Sequence, residues 1–254
     1  MNKAHRPQIG TEIPPDLAEE YGHPDLNNIH NKAASDLGRA IVSGRYAPGK
    51  KLPTEFESAE RLGISRSSYR EATRILAAKG MLVSRTKAGT VVSARSSWNL
   101  LDPDVLAWFF QSEPSPSFIH DLFELRMVVE PAAAAMAAVR RTEAQVSEME
   151  KALEIMSEKT LASEAGLAAD KHFHTVILEA TRNETFISLA SGIGAAARWA
   201  SIFKQRHREL PRDPVPDHMR LLQAIKAKDP EAARHAAVTL LLLAQEDTAL
   251  SMQS

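Results

Sequence analysis

The chain has 254 residues and a formal net charge of −1, with 44% hydrophobic and 25% charged residues. That length allows one or two domains with real cores, and the composition excludes a wholly disordered or fibrous chain. There is no cysteine, which excludes disulfides, thiolate metal sites and cysteine nucleophiles. No apolar run approaches the roughly 20 residues that span a bilayer. Residues 1–10 lack the apolar stretch of a signal peptide, so a cytoplasmic protein is expected.

The small net charge conceals an asymmetry. Residues 27–95 hold 13 Lys and Arg against 5 Asp and Glu, whereas residues 96–254 hold 16 against 22. A basic module joined to an acidic one points to one part that meets a polyanion and another with a separate task. Residues 1–26 carry four of the 14 prolines and little periodicity, and read as a flexible tail.

From Ile29 the pattern is helical, with Ala33, Leu37, Ile41 and Val42 on one face and Gly44 and Pro48-Gly49 as the stop. Thr54 and Glu57 form a capping box for a second helix, which Gly63 ends after about two turns. Ser65 caps a third helix, Arg66 to Lys79, whose apolar stripe is Tyr69, Ala72, Ile75 and Leu76. Met81–Val83 and Val91-Val92 read as two short strands around a turn at Thr86–Thr90. Short helix, glycine turn, helix and hairpin is the order of a winged helix-turn-helix. The start of the third helix presents Ser65, Arg66, Ser67, Ser68 and Arg70, residue types suited to phosphate oxygens and guanine edges.

Residues 96–116 read as an aromatic connector, broken at Asp102-Pro103 and Pro114-Ser115-Pro116. Its Trp98, Trp108, Phe109 and Phe110 argue against a free linker and for docking on a domain or a partner subunit. From Ser117 to the end the reading is an all-α bundle, with helices over 117–139, 142–159, 163–181, 184–208, 216–228 and 230–252 and a kink expected at Pro131. Thr142 with Gln145 is a capping box, and Asp229-Pro230 an N-cap followed by proline.

Ionisable residues stand on the apolar stripes of this bundle. Asp170 and His174 share a face with Leu167, Ile177 and Leu178; His218 shares one with Leu221, Leu222 and Ile225; Arg126 shares one with Leu122, Val129 and Ala133. Burying such groups costs several kcal/mol unless they are paired or bind something. They imply a polar cavity in the core, holding either a divalent metal on Asp170, His174 and His218 or an internal hydrogen-bond network. His172, His207 and His235 show no constellation and read as surface residues.

The segment from Asn31 to Val92 resembles the GntR winged helix-turn-helix in Gly44–Gly49, Leu52–Glu55, Gly63–Arg66, Tyr69–Ala72 and Ala88–Thr90. The rest resembles the FCD ligand-binding domain of the FadR-like subfamily, in Glu124-Leu125-Arg126 with Glu130-Pro131, Asp170, Phe173-His174, Asn183, and His218 with Ala224-Ile225. The resemblance implies a transcription regulator rather than an enzyme. It implies a homodimer on a palindromic DNA operator and a metabolite in the bundle that shifts the DNA heads. By the same resemblance, DNA contacts fall on Ser65, Arg66, Ser67, Ser68, Arg70, Lys87 and Gly89, and one family arginine is replaced by Phe56.

The family's metal ligands fall on Asp170, His174 and His218, while the fourth falls on Leu240, which cannot coordinate. Arg126, Asn183 and Arg198 are the implied contacts of an effector carboxylate, together with Asp170, His174 and His218. The connector from Trp98 to Trp108 resembles that of galactonate-operon repressors, which implies a sugar acid as the effector. Two other readings remain beside a sugar-acid repressor. One is a regulator that senses the metal itself. The other is a metal-assisted hydrolase, disfavoured because no nucleophile–base pair or separate general acid accompanies the cluster.

Overall fold

A computed structural model describes residues 28–86, 89–207 and 212–252. The expected tail at 1–26 and the wing residue Lys87 lie outside the described residues. The chain is mostly helical, a winged helix-turn-helix followed by a helical bundle.

The head opens with α1 (Ile29–Val42), whose buried stripe is Ala33, Ala34, Leu37, Ala40 and Ile41. Thr54 starts α2 (Glu55–Leu62) with the expected capping box in both directions. Gly63 closes it at φ 64°, a left-handed turn that glycine adopts without a Cβ clash, and Ile64 N–H reaches back to the Ala59 carbonyl. Ser65 caps α3 (Arg66–Ala78) by accepting from the Ser68 N–H. The hairpin β1 (Leu82–Arg85) and β2 (Gly89–Val92) pairs antiparallel with Leu82 opposite Val92. Residues 49–52 add a third edge along β2, through Leu52 N–H to Thr90 and Val92 N–H to Lys50.

The connector is not irregular throughout. After a single turn of 3-10 helix (Arg95–Ser97) it contains α4 (Pro103–Gln111). Asp102-Pro103, read as a break, is an N-cap: the Asp102 carboxylate accepts from the N–H groups of Asp104 and Val105, and Pro103 stands where no donor is needed. The aromatic residues dock as expected, on both sides of this helix. Trp108 lies against α1 and donates from Nε1 to Ser35 Oγ at 3.1 Å, while Phe110 meets Trp199 and Phe203 in the bundle. Phe109 stacks on Phe118 with ring centroids 4.2 Å apart. Lys79, at the end of α3, donates to both Asp102 oxygens at 2.7 and 2.8 Å and pairs with Asp104. Burial alone would lower the Lys79 ammonium, but those carboxylates hold it above its ordinary value. One continuous apolar core therefore runs from Leu37 and Ile41 through Trp108 and Phe110 into the bundle.

The bundle comprises α5 (Pro116–Arg140), α6 (Glu143–Lys159), α7 (Glu164–Ala180), α8 (Glu184–Ser188), α9 (Ala190–His207), α10 (Val215–Lys226) and α11 (Pro230–Ser251). Helix α5 continues through Pro131 as a single 25-residue element. The stretch expected as one helix over 184–208 is two, interrupted at Leu189, whose N–H turns to the Phe186 carbonyl. Helix α5 packs on α11 and α7, and α7 packs on α6 and α9, so α5, α7, α10 and α11 enclose the polar cluster. Among the described residues no helix is long and apolar enough to cross a membrane.

The head–connector contact is tight. A Cβ built on Gly38 would lie 2.4 Å from Trp108 Cε3. Gly38→Ala is expected to displace the indole and cost about 1–3 kcal/mol through overpacking. Thermal unfolding and the tryptophan emission spectrum check this: an unchanged midpoint with unchanged emission would show that α1 and α4 are free to separate.

Candidate functional site

The head's polar face is built by capping. Ser65 Oγ lies 2.9 and 2.8 Å from the hydroxyls of Ser67 and Ser68, a cluster at the helix start where backbone N–H groups and the helix dipole face outward. Arg66 and Arg70 are exposed one turn apart, and both reach back to Glu55 at the start of α2, at 3.3 and 2.8 Å. The hydrogen bond from Arg70, with help from Arg66, holds the Glu55 carboxyl below its usual range. Glu55 thus splays the two guanidinium groups over one end of the recognition helix, a residue that the sequence reading had not singled out. Phe56 projects beside them, 62% exposed, where the family pattern expects an arginine. Gly89 sits at the wing with φ 79° and close to the Lys51 side chain. The structure therefore gathers Ser65, Arg66, Ser67, Ser68 and Arg70 on one exposed end of α3.

The second constellation is buried. Arg126 and Glu130 are four apart on α5, so one helical face presents both, and Arg126 Nε donates to Glu130 Oε1 at 2.6 Å. Glu130 Oε2 lies 2.8 Å from His174 Nδ1 on α7. His174 Nε2 then faces Asp170 Oδ1 at 3.7 Å and His218 Nε2 at 3.4 Å. His218 Nε2 is 3.1 Å from the same Asp170 oxygen, and its Nδ1 is 2.9 Å from the Pro214 carbonyl. Ser201 Oγ on α9 donates to the other Asp170 oxygen at 3.5 Å.

Charge decides how this interior is held. Burial pushes the Glu130 carboxyl up, but Arg126 and then His174 outweigh it and leave its pKa lowered to about 2. Burial likewise opposes the Asp170 carboxylate, and His218 and His174 more than compensate, holding it well below its usual range. For His174 burial favours the neutral ring, yet Glu130 and Asp170 raise its pKa.

His174 Nδ1 faces Glu130 and His218 Nδ1 faces the Pro214 carbonyl, so a ring that is neutral and donates there turns an Nε2 lone pair toward Asp170, whereas a proton on Nε2 makes it a donor to that carboxylate. With both rings in the first state, two lone pairs and a carboxylate oxygen face one another, an arrangement that a proton or a cation must relieve. Four ligands held tetrahedrally at about 2.1 Å stand about 3.4 Å from each other. The observed separations of 3.1, 3.4 and 3.7 Å fit that spacing, and the Glu130 and Pro214 acceptors orient the imidazoles as outer-shell partners of a metal site do.

Several expected features differ. The polar cavity is closed: beside the cluster lies a space of about 10 Å³, lined by Glu130 and His174 and otherwise by apolar side chains that include Leu221 and Leu240. That is at the limit for a single water. Leu240, the position to which the resemblance assigned a fourth ligand, lines that space with its apolar side chain. Asn183 is turned to another task, because its Oδ1 accepts from the N–H groups of Thr185 and Phe186 to start α8. Arg198 pairs with Glu164 at 2.7 Å. His172 and His235 are exposed, as expected, and the side chain of His207 lies outside the description. Glu130, named in the sequence only for the FCD resemblance, was not given a site role, although its spacing four residues from Arg126 on the buried face was the available signal.

A basic helix-turn-helix with a wing, welded to a helical bundle, defines a class of DNA-binding regulator. The sequence matches bacterial regulatory proteins of the gntR family over residues 30–92 and the FCD domain over residues 121–242. It is 34% identical over 218 residues to the galactonate operon transcriptional repressor of Escherichia coli (strain K12), covering 84% of this chain and 94% of that protein. It is 31% identical over 205 residues to the Uxu operon transcriptional regulator of the same strain, covering 77% of each. A solved structure of Lar, which controls expression of the Listeria monocytogenes agr system, superposes with a TM-score of 0.61 at 17% identity over 87% of this chain and 96% of that one, and shares the fold. The chain belongs to the GntR family of bacterial transcription regulators, in the branch that carries an FCD domain; it is a DNA-binding regulator and not an enzyme.

Glu130 provides a pH test of the buried network. Its pKa falls from an ordinary 4.5 to about 2 on folding, so its contribution is complete above 4.5 and disappears as pH falls through about 2. The difference corresponds to roughly 3 kcal/mol. Glu130→Gln is expected to unfold well below the wild-type temperature at pH 6, with the gap closing as both are titrated toward pH 2. A gap independent of pH would show that the carboxylate is not ionised in the folded chain.

Proposed function

We propose that this regulator is a repressor controlled by a small carboxylate, a sugar acid such as an aldonate, that enters the bundle and lowers operator affinity. The observation that carries the reading is the buried Arg126–Glu130–His174–Asp170–His218 network. It supplies a guanidinium fork for a carboxylate and several donors and acceptors for hydroxyls. The named operons of the two Escherichia coli relatives support the choice of a sugar acid. The functional units are a tail at 1–26, the DNA head at 27–95, the connector at 96–116 and the effector bundle at 117–254. The protein works in the cytoplasm as a homodimer on a palindromic operator, since two-fold protein symmetry calls for two-fold DNA symmetry.

In the head, Ser65, Ser67 and Ser68 hold phosphate, Arg66 and Arg70 read or grip the major groove, and Lys87 and Gly89 bring the wing to the adjacent backbone. DNA phosphates compete with Glu55 for Arg66 and Arg70. In the bundle, Asp170, His174 and His218 would hold a divalent metal with three protein donors. When bound, such an ion supplies a Lewis-acid position to which a carboxylate can be ligated. The space of about 10 Å³ is far too small for an aldonate, so entry requires α5, α7, α10 and α11 to part. Arg126 must exchange Glu130 for the effector carboxylate. Asn183 and Arg198 join the effector only if they leave their present partners, so their roles are secondary.

Arg66→Ala is expected to lose operator binding at least tenfold while acid binding is unchanged, with binding in the wild type falling steeply as salt rises. Fluorescence anisotropy on an operator selected from a random duplex pool checks this, and an unchanged affinity would remove Arg66 from the interface. Arg126→Ala is expected to bind that operator yet fail to release it with galactonate or a related aldonate. Normal release would end its role as the carboxylate fork. A thermal-shift series with these acids, with zinc and with chelator, separates the metal-dependent site from a metal-free one.

A further inference from the structure

The strap that joins α1 to α2 carries a cation to the wing. Residues 49–52 run along the second edge of β2. Gly49 N–H donates to the Val92 carbonyl at 2.8 Å, Leu52 N–H to the Thr90 carbonyl at 2.9 Å, and Val92 N–H to the Lys50 carbonyl at 3.0 Å. Lys51 pairs with Val91 between those bonds, and Leu52 is buried in the core. The backbone of Lys51 is therefore held on both sides. Its side chain is exposed and reaches Gly89, the first residue of β2. Lys51 Cε lies 3.3 Å, and Nζ 3.9 Å, from the place that a Cβ on Gly89 would take. A glycine there leaves the lysine stem room to lie against the wing backbone.

The fold does not consume this charge. Among the described residues no carboxylate forms an ion pair with the Lys51 ammonium. The carboxylate it influences is that of Glu57, which already accepts from the Thr54 N–H and hydroxyl at 2.8 Å each to cap α2. The same strap continues to Glu55, which gathers Arg66 and Arg70 of the recognition helix. Lys51 thus stands at the wing on the segment that leads to the recognition-helix cations. An ammonium is a compact point charge that suits a phosphate without demanding one geometry, and a backbone already fixed lowers the ordering needed to bind.

We propose that Lys51 is a phosphate contact of the DNA interface, a strap-borne cation that works beside the wing and sets how the wing sits on the duplex backbone. The assignment rests on the wing lying against DNA, as proposed above, and adds a residue from outside both the recognition helix and the hairpin. Phosphate contacts fix register and orientation without reading sequence. Loss of Lys51 therefore weakens specific and non-specific duplexes alike, and it removes one counterion-releasing contact from the salt dependence.

The test uses the full-length chain and the variants Lys51→Met, Lys51→Arg, Lys50→Met and Lys87→Met. Fluorescence anisotropy follows binding to the selected operator and to a duplex of unrelated sequence across a salt series, with thermal unfolding alongside. Lys51→Met keeps the apolar stem and removes the charge, so it is expected to unfold with the wild type. It should bind both duplexes about tenfold more weakly at low salt, with the slope of log affinity against log salt reduced by about one. Lys51→Arg should restore affinity and slope. Lys50→Met, which removes an equal charge from the adjoining residue, should change both less, because neighbouring residues of an extended chain point opposite ways. Unchanged affinity and slope in Lys51→Met, with a loss in Lys87→Met, would overturn the Lys51 contact and leave the wing at the DNA. Silence of both variants would overturn the wing reading together with it. A loss of equal size in Lys50→Met would reduce the effect to the general field of a basic head and overturn the contact. A loss confined to the operator would make Lys51 a reader of bases and overturn its assignment to phosphate.

Discussion

The interior of the bundle depends on one carboxylate. Glu130 accepts from Arg126 on its own helix and from His174 on the next, and each bond does a different job. The first neutralises a guanidinium that water cannot reach. The second fixes the His174 ring so that Nε2 points at Asp170 and His218. A buried ion pair of this kind adds little net stability over a well-packed apolar pair, because desolvation consumes most of the attraction. What it supplies is orientation: without Glu130 the imidazole loses its Nδ1 partner, and the facing donor atoms of α7 and α10 lose their alignment.

That alignment is connected to the DNA face through α9 and α4. On α9, Ser201 reaches Asp170, whereas Trp199 and Phe203 pack on Phe110 of α4. On α4, Trp108 fills the space above Gly38 in α1, and Asp102 and Asp104 hold the end of α3 through Lys79. The recognition helix is therefore three contacts from the acid cluster. Close-packed interiors do not absorb displacements smoothly, so a displacement of α9 at the cluster would be passed to α4. In the proposed function, the exchange of Glu130 for an effector at Arg126 is the local event that would start it.

Much of this was legible in the sequence, and the exceptions share a cause. The capping boxes at Thr54 and Thr142, the Ser65 cap and the Asp229-Pro230 start all fall where the residues place them, because a cap is a local contract between neighbours. Asp102-Pro103 is the same signal, yet it reads as a break when the segment after it is dense in aromatics and lacks a polar face; α4 is apolar all round because it is buried on two sides. The interruption at Leu189 has no Gly or Pro to mark it. Asp170, His174, His218 and Arg126 were recognisable as ionisable residues on apolar stripes. Pairing was not: that Glu130 rather than a ligand satisfies Arg126, that Glu55 gathers Arg66 and Arg70, and that Asn183 spends its oxygen on a helix start are facts of packing between distant segments.

Charge balance gives the remaining constraint on what the bundle can accept. Arg126 matches one of the two cluster carboxylates, Glu130 and Asp170, so with neutral imidazoles the cluster carries one negative charge. A divalent ion on Asp170, His174 and His218 would turn that into one positive charge in a low-dielectric interior, for which an anionic ligand is the natural complement. In the metal-free chain the same anion would add to the negative charge, and protonation of His174, already favoured by Glu130 and Asp170, would offset part of it. With the ion bound, a cationic ligand finds no such compensation, since Glu130 and Asp170 are already engaged. Leu240 sharpens the point: an apolar side chain at the position the resemblance gives to a fourth ligand leaves the site short of the protein's own donors. With a metal bound, the remaining position of the cluster would therefore suit an anion, as the proposed carboxylate effector requires.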